Sequence, residues 1–498
     1  VGRDLRTKVF NKVVNFSDAE INKFSTASLI TRTTNDVQQV QMVTVMLLRM
    51  VLYAPIMAVG GIIMVIRTGA GMGYIIAIAV VAIAVLMILL MAFAMPKFKI
   101  MQKLVDKVNL VSREILTGIP VIRAFSREKH EEKRFDDANK ELTGVMLYTN
   151  RVMTFMMPAL MIIMNVMSIL IVWTSAHRID AGVMEVGTMT AFITYTMMIV
   201  MAFLMLTMIS IMLPRAGVAA DRIDEVLKTE VSVNNSTDAV DAGRSKGVVR
   251  FNHVSFAYPE AEGKVLDDID FEASPGTTTA IIGSTGCGKS TLVNLIPRFF
   301  DVTEGSITLD GRDIRNITLE SLRENIGYVP QKGILFSGTI ADNIKYGQLV
   351  ESDEDMLEAA EIAQATEFIE AKPDKYESQV AQGGNNVSGG QKQRLSIARA
   401  IARDPMIYIF DDSFSALDFK TDAALRKALA PKVKDKTVLI VAQRISTVMH
   451  AEQIIVLDDG KVAGIGTHKE LMENCEIYRQ IAGSQLSESE LKKSLEVK

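Results

Sequence analysis

Apolar and polar positions follow two different rhythms along the 498 residues of the chain. Residues 3–40 mix Lys, Arg, Asp and Glu with Leu5, Val9, Val13, Val14 and Phe16 at near-helical spacing, which predicts helices lying in water beside other protein. Apolar stretches follow near 45–66 and 74–95, and two more near 152–176 and 188–213 after a long charged segment. A bilayer core takes about 20 residues, with a range of roughly 17 to 25, so each stretch is long enough to cross it. Arg49, near the start of the first, is expected to snorkel to the interface or to face neighbouring helices.

Past residue 247 the rhythm shortens. Apolar runs such as Val248-Val-Arg-Phe251, Val254-Ser-Phe256 and Thr278–Ile282 alternate with helical stretches as far as about Ala482. That alternation predicts an α/β domain over 247–483, built round a mainly parallel sheet. The polar string 226–246 reads as a linker. Residues 484–498 read as a charged, loosely helical tail without a visible role. The expected architecture is multidomain, an all-α polytopic membrane domain over 1–225 followed by the α/β domain.

Composition and charge sharpen this division. Of 29 methionines, 25 lie at or before Met212. The crowding at Met153, Met156, Met157, Met161, Met164 and Met167, and again from Met197 to Met212, suits either a plastic cavity for varied apolar ligands or ordinary lipid-facing and packing residues. Asn165, in mid-span, fits a substrate contact or an interhelical hydrogen bond. Segment 96–151 holds twelve Lys or Arg, whereas 67–73 and 177–187 hold one each, so the positive-inside bias places 96–151 in the cytoplasm. The N-terminal segment and the second half then lie on the same side. A net charge of −4 is too small to argue for a nucleic-acid partner. Two cysteines, Cys287 and Cys475, give neither a disulfide framework nor metal spacing, which fits a reducing compartment.

The strongest chemical signal is Gly283-Ser284-Thr285-Gly286-Cys287-Gly288-Lys289-Ser290-Thr291, placed between the apolar runs Thr278–Ile282 and Leu292–Ile296. It reads as strand, glycine loop and helix, the frame of a P-loop NTPase. Backbone N–H groups turn toward a nucleoside triphosphate, Lys289 neutralises its outer phosphates, and Ser290 offers a hydroxyl to Mg²⁺. Asp411 ends a second apolar strand, 122 residues after Lys289, where P-loop enzymes place an aspartate that holds Mg²⁺. Between them Ser388-Gly389-Gly390-Gln391 opens a helical run and offers a second anion site. In isolation that string is a glycine turn before a helix, but beside a phosphate loop it suits a cap on another subunit's nucleotide.

On these motifs the second half resembles the nucleotide-binding domain of an ABC transporter, with Ser388-Gly389-Gly390-Gln391 matching the signature. The first half is similar to the type IV exporter arrangement fused ahead of it. The resemblance implies two such domains sandwiching two ATP molecules with Mg²⁺, each nucleotide held by one partner's phosphate loop and the other's signature. It implies that Tyr258 stacks on adenine, that Gln331 senses Mg²⁺ together with Ser290 and Asp411, and that Asp418 communicates across the dimer. Segments Ala19–Phe24 and Thr117–Arg123 resemble coupling helices, or else are turns between long helices.

Two positions depart from the family. Asp412 stands where a glutamate polarises the attacking water, and its shorter side chain sets the carboxylate back on the order of 1 Å, a displacement that can cost about 10²-fold in rate. Gln443 stands where a histidine contacts the γ-phosphate, and an amide carries no positive charge. With the binding residues kept, the chain resembles the slow subunit of a bacterial heterodimeric multidrug exporter. That implies a partner half-transporter carrying the Glu and His, a place among the lipids of the inner membrane, and amphiphilic small molecules as substrates. A homodimeric lipid or drug exporter with slow ATPase stays open, as does an ATP-gated regulatory or channel-like membrane protein. Exporters of this type have six spans per half against four here, and the chain starts at Val1, so the sequence reads as a fragment lacking the first two.

Overall fold

The computed structural model describes all residues except 69–70, 260, 488–489, 492–493 and 495–498, and all of their side chains except those of 91, 99, 206–211, 214 and 215. The chain divides into two compact units, one made of 1–8 and 31–225 and the other of 9–30 and 226–498.

Among the described residues, four helices of the first unit are long and apolar enough to cross a membrane: Thr26–Arg67, Gly73–Ala124, Glu128–Asp180 and Val186–Met205. Three of the four expected apolar stretches fall within them; the fourth, 188–213, begins in Val186–Met205 and runs on along the helix Val186–Lys228. The helices run well beyond those stretches, however. Gly73–Ala124 has 52 residues, roughly 80 Å at 1.5 Å per residue, more than twice the thickness of a bilayer core. The charged segment 96–151, which hydropathy separates as a connection, continues two helices that turn back on each other through Phe125–Arg127. Lys, Glu, Arg and Gln are nearly as helix-favouring as Leu, so a change from apolar to charged does not end a helix. Lys107 and Glu141 pair across the two arms at 2.7 Å.

The spans share a core of Val65, Ile75, Met167, Ile171, Phe192 and Ile199. A Cβ on Gly61 would lie 2.7 Å from Cγ1 of Ile199, so the missing side chain is what lets these helices touch. A wide π-helical turn, Leu47–Val51, precedes Pro55, whose ring removes one backbone donor from the first span. Arg49 lies in that turn, exposed. The methionines serve two purposes, since Met167 is buried whereas Met157 and Met161 are about two-thirds exposed. Met208 lies outside the described side chains. Asn165 is exposed and, among the described residues, joins no interhelical hydrogen bond.

The second unit carries the sheets. A four-stranded antiparallel sheet has the order β2-β1-β4-β5, with β1 Val249–Phe256, β2 Leu266–Ala273, β4 Glu304–Leu309 and β5 Arg312–Asp313. A six-stranded sheet has the order β12-β11-β3-β10-β9-β6, with β3 Thr278–Gly283, β6 Ile326–Val329, β9 Ile407–Asp411, β10 Thr437–Val441, β11 Gln453–Asp458 and β12 Lys461–Gly466. All its neighbours pair in parallel except β12. A two-stranded ribbon joins β7 Gly338–Thr339 to β8 Gln379–Val380.

Buried on both faces, the central strands read as continuous apolar runs. Alternate residues serve separate cores: Ala280, Tyr408, Phe410 and Ile440 on one face, Ile281, Ile407, Ile409 and Leu439 on the other. The short helix Asp18–Phe24, one of the two expected coupling segments, belongs to this unit. Ser17 and Glu20 cap it reciprocally, and Glu20 also accepts from the Ser232 amide at 3.1 Å. The other segment, Thr117–Arg123, is the last turns of the 52-residue helix, where Leu116, Val121 and Phe125 are exposed.

Candidate functional site

Strand order decides what meets what. Adjacent parallel strands β3, β10, β9 and β6 end together, and the chain leaves them as Gly283, Gln443, Asp411-Asp412 and Gln331 respectively. Loops at the carboxyl ends of a parallel sheet are where such folds bind ligands.

The phosphate loop is held open by the absence of side chains at two points. A Cβ on Gly283 would collide with the Leu457 carbonyl oxygen of β11. Gly288 has φ +96°, and a Cβ there would meet Leu266 at 2.8 Å. The loop therefore lies down tightly on its neighbours, with Ser284, Thr285 and Gly286 at an exposed lip and Cys287, Lys289 and Thr291 buried. Lys289 Nζ donates to the carbonyls of Gly283 at 2.9 Å and Ser284 at 2.6 Å, and stands 3.7 Å from Cys287 Sγ. Ser290 Oγ donates to Asp411 Oδ1 at 2.9 Å. Burial pushes the Asp411 carboxyl up, against the Ser290 bond, which favours its charged form. A hydroxyl and a buried carboxylate converging at the mouth of a phosphate loop are the hard oxygen donors that suit Mg²⁺. Tyr258 hydroxyl bonds Thr291 Oγ1 at 2.9 Å, and its ring is wedged edge-on against Phe256 and Phe300, beside the phosphate-loop helix Lys289–Leu295.

The two departing positions touch. Gln443 Nε2 donates to Asp412 Oδ2 at 2.9 Å, and Gln331 Nε2 reaches the same oxygen at 3.3 Å. Asp412 is buried, with φ +47°, a left-handed backbone that a non-glycine residue adopts at a cost. Its carboxyl is raised chiefly by burial, opposed by the Gln331 bond and by the charges of Lys289 and Arg444.

The expected signature lies elsewhere. Ser388 caps the helix Gly389–Ala402, with Gln391 N–H donating to Ser388 Oγ at 3.3 Å and Ser388 N–H to Gln391 Oε1 at 3.1 Å. Ser388 and Gly389 are exposed, and among the described residues neither Ser388 nor Gln391 bonds the phosphate loop of its own chain. Gly390 lies against the Ala416 carbonyl, so the signature and the Ser415–Asp418 loop are neighbours. Asp418 caps the helix Phe419–Lys432, accepting from the Thr421 amide at 3.0 Å, and these bonds hold its carboxyl below the usual range.

Sequence reasoning missed two glutamines. Buried Gln393 accepts from the Gly333 amide at 3.0 Å and donates to the Pro330 carbonyl at 3.1 Å, bracketing Gln331. Gln485 does the same around Gln443–Ile445. Gln393 lies two residues past the signature, where an amide on the buried face of a helix was the available hint; Gln485 carried none.

Residues 266–415 match the ABC transporter family, and residues 1–203 match the ABC transporter transmembrane region. An ABC transporter ATP-binding protein of Mycobacterium tuberculosis is 44% identical over 493 residues, covering 97% of this chain and 84% of the relative. The chain belongs to the ABC transporter family. A Bacillus subtilis relative, named as a candidate multidrug export ATP-binding/permease protein, is 37% identical over 370 residues, covering 74% of this chain and 63% of its own length. The solved structure of a bacterial Atm1-family ABC exporter with ATP bound superposes with a TM-score of 0.80 at 26% identity, over 98% of this chain and 85% of that one. This ABC transporter thus joins a membrane-spanning half to an ATPase domain in one chain, as a half-transporter that works as a dimer. It is a multi-pass protein of the bacterial inner membrane with its ATPase domain in the cytoplasm. ATP and Mg²⁺ are the ligands that the ATPase domain implies.

Proposed function

We propose that this half-transporter exports amphiphilic compounds, and that its own nucleotide site binds ATP firmly but turns it over slowly. The observation that carries the slow-site reading is the bond from Gln443 to Asp412. A general base must accept a proton from water, and here the candidate acceptor is short, buried and already engaged by two amides. A neutral amide at 443 also adds no charge toward a developing γ-phosphate anion. Binding is unaffected by either feature. Lys289 exchanges two neutral carbonyl partners for phosphate oxygens, a gain for a buried ammonium. Ser290 and Asp411 would hold Mg²⁺, whose charge offsets that of the phosphates, and Tyr258 offers its ring to the adenine.

The exposed signature end supports the second half of the reading, in which Ser388 and the N–H groups of its helix complete the site of a different chain carrying Glu and His. The apolar hairpin tip at Leu116, Val121 and Phe125 supports it too, as a surface left for that partner. The methionine-rich spans and the multidrug-export name of the Bacillus relative support an amphiphilic substrate. Tagged full-length protein, purified from its native membrane and examined by mass spectrometry, tests the pairing. An equimolar second ABC half-transporter with Glu and His at the two positions is expected. Recovery of this chain alone, hydrolysing ATP briskly, would overturn the reading.

A further inference from the structure

The C-terminal helix Glu476–Gln485 buries Tyr478 and Ala482 in the same core as Ile445 and Val448, which belong to the helical turn immediately after Gln443-Arg444. At its last residue the helix does something more specific. Gln485 Oε1 accepts the Ile445 amide at 2.9 Å, and Gln485 Nε2 donates to the Gln443 carbonyl at 2.8 Å. Both heads of one side chain are spent on the backbone that carries Gln443, whose own amide reaches Asp412 at 2.9 Å. Beyond it Leu486 and Leu491 pack on the same core, and Ser494 Oγ meets His468 Nε2 at 3.0 Å. The Ser487 amide donates to Glu490 Oε2 at 2.9 Å and the Glu490 amide to Ser487 Oγ at 3.4 Å. Leu491 and Ser494 are thus anchored to the same domain.

We propose that Gln485 is a positioning residue of the nucleotide site, holding the 443–445 backbone so that the side chain at 443 is presented to Asp412 and to the outer phosphate. The proposal rests on the reading of Gln443 given above. Two bonds from one amide fix both the position and the tilt of a short backbone segment, which a single bond leaves free to rotate. The C-terminal helix thereby has a direct hold on the reaction centre, through a residue that touches neither nucleotide nor Asp412.

The test uses the full-length protein in nanodiscs, with MgATP as the probe. Gln485→Ala is expected to speed hydrogen exchange at the Ile445 amide roughly fivefold, the weight of one lost hydrogen bond. It is expected to raise kcat by a similar factor, since Gln443 is then no longer held on Asp412, while leaving KM for ATP within twofold. Gln485→Glu keeps the acceptor for Ile445 but places a charge against the Gln443 carbonyl, so it should restore the slow exchange and leave kcat raised. A stop codon after Leu486 keeps Gln485 and should preserve kcat, whereas a stop after Ser484 should match Gln485→Ala. In the Gln443→Ala background the effect of Gln485→Ala on kcat should vanish. Unchanged exchange at Ile445 in Gln485→Ala would overturn the clamp itself. Faster exchange with unchanged kcat, or an equal change of kcat in the Gln443→Ala background, would reduce Gln485 to a structural contact. If Gln443→Ala alone leaves turnover intact, the reading of Gln443 falls and the positioning role with it, while the exchange rate still reports the bond.

Discussion

The phosphate loop and the signature helix are both helix N-termini built for anions, yet their surroundings are opposite. Around the phosphate loop the side chains of Lys289, Ser290 and Asp412 are answered from within the chain: Lys289 by two carbonyls, Ser290 by Asp411, Asp412 by Gln443 and Gln331. At the signature, among the described residues, the exposed Ser388 and the half-buried Gln391 answer each other. The difference teaches that the side chains at one end of the domain are held by their own chain whereas those at the other face outward. A chain can weaken its own chemistry at the first end without touching what it lends at the second.

This separation can be broken most forcefully at Lys289. Lys289→Ala removes the charge-assisted contacts to phosphate, and the affinity of the purified chain for MgATP is expected to fall about 10²-fold by equilibrium binding. At the other end, Ser388→Arg should leave that affinity within twofold but lower the ATPase of the assembled transporter more than tenfold, because in the proposed pairing a bulky cation would fill the space for the partner's nucleotide. Equal losses in both assays would mean that the two ends are not independent. The helix cap lost with Ser388 should cost about 1 kcal/mol of stability, visible as a small drop in Tm.

A subtler probe uses the burial of Asp412. Its carboxyl is raised in the folded protein, so the fold binds that proton more tightly than the unfolded chain does. The stabilisation from this proton is fully present below the ordinary carboxylate value and is lost as pH rises through the raised one; at neutral pH the buried charge is a net penalty. Asp412→Asn keeps an acceptor for Gln443 and removes the charge. It should raise Tm by about 2–4 °C at pH 7, the shift expected for about 1 kcal/mol in a domain of this size, with the gain shrinking as pH is lowered toward 4. A gain that grows toward acid pH would contradict the burial argument.

How far the sequence could be read follows from where the information lies. The phosphate loop, Asp411 and the signature are local strings whose spacing implies their geometry, and the structure brings the first two to 2.9 Å between Ser290 and Asp411. Asp412 and Gln443 were visible as departures, but their contact was not. They are separated by 31 residues and meet only because β9 and β10 are paired in parallel. The helical continuity of 96–151 was hidden because hydropathy marks where a helix leaves lipid and not where it ends. Asp418 was expected to act across the dimer, and within this chain it is a helix cap. Gln485 was beyond reach, since a glutamine in a polar tail belongs to no pattern until the C-terminal helix is docked beside Ile445.

The most direct test of the central claim is the turnover of ATP by the full-length chain when its two departing positions are restored, singly and together. Asp412→Glu alone and Gln443→His alone should each raise kcat less than about fivefold, because each leaves the other defect in place; the double variant should gain about 10²-fold, with KM for ATP nearly unchanged. Full recovery from Asp412→Glu alone, or brisk hydrolysis by the natural chain, would contradict the account and make Asp412 a competent base.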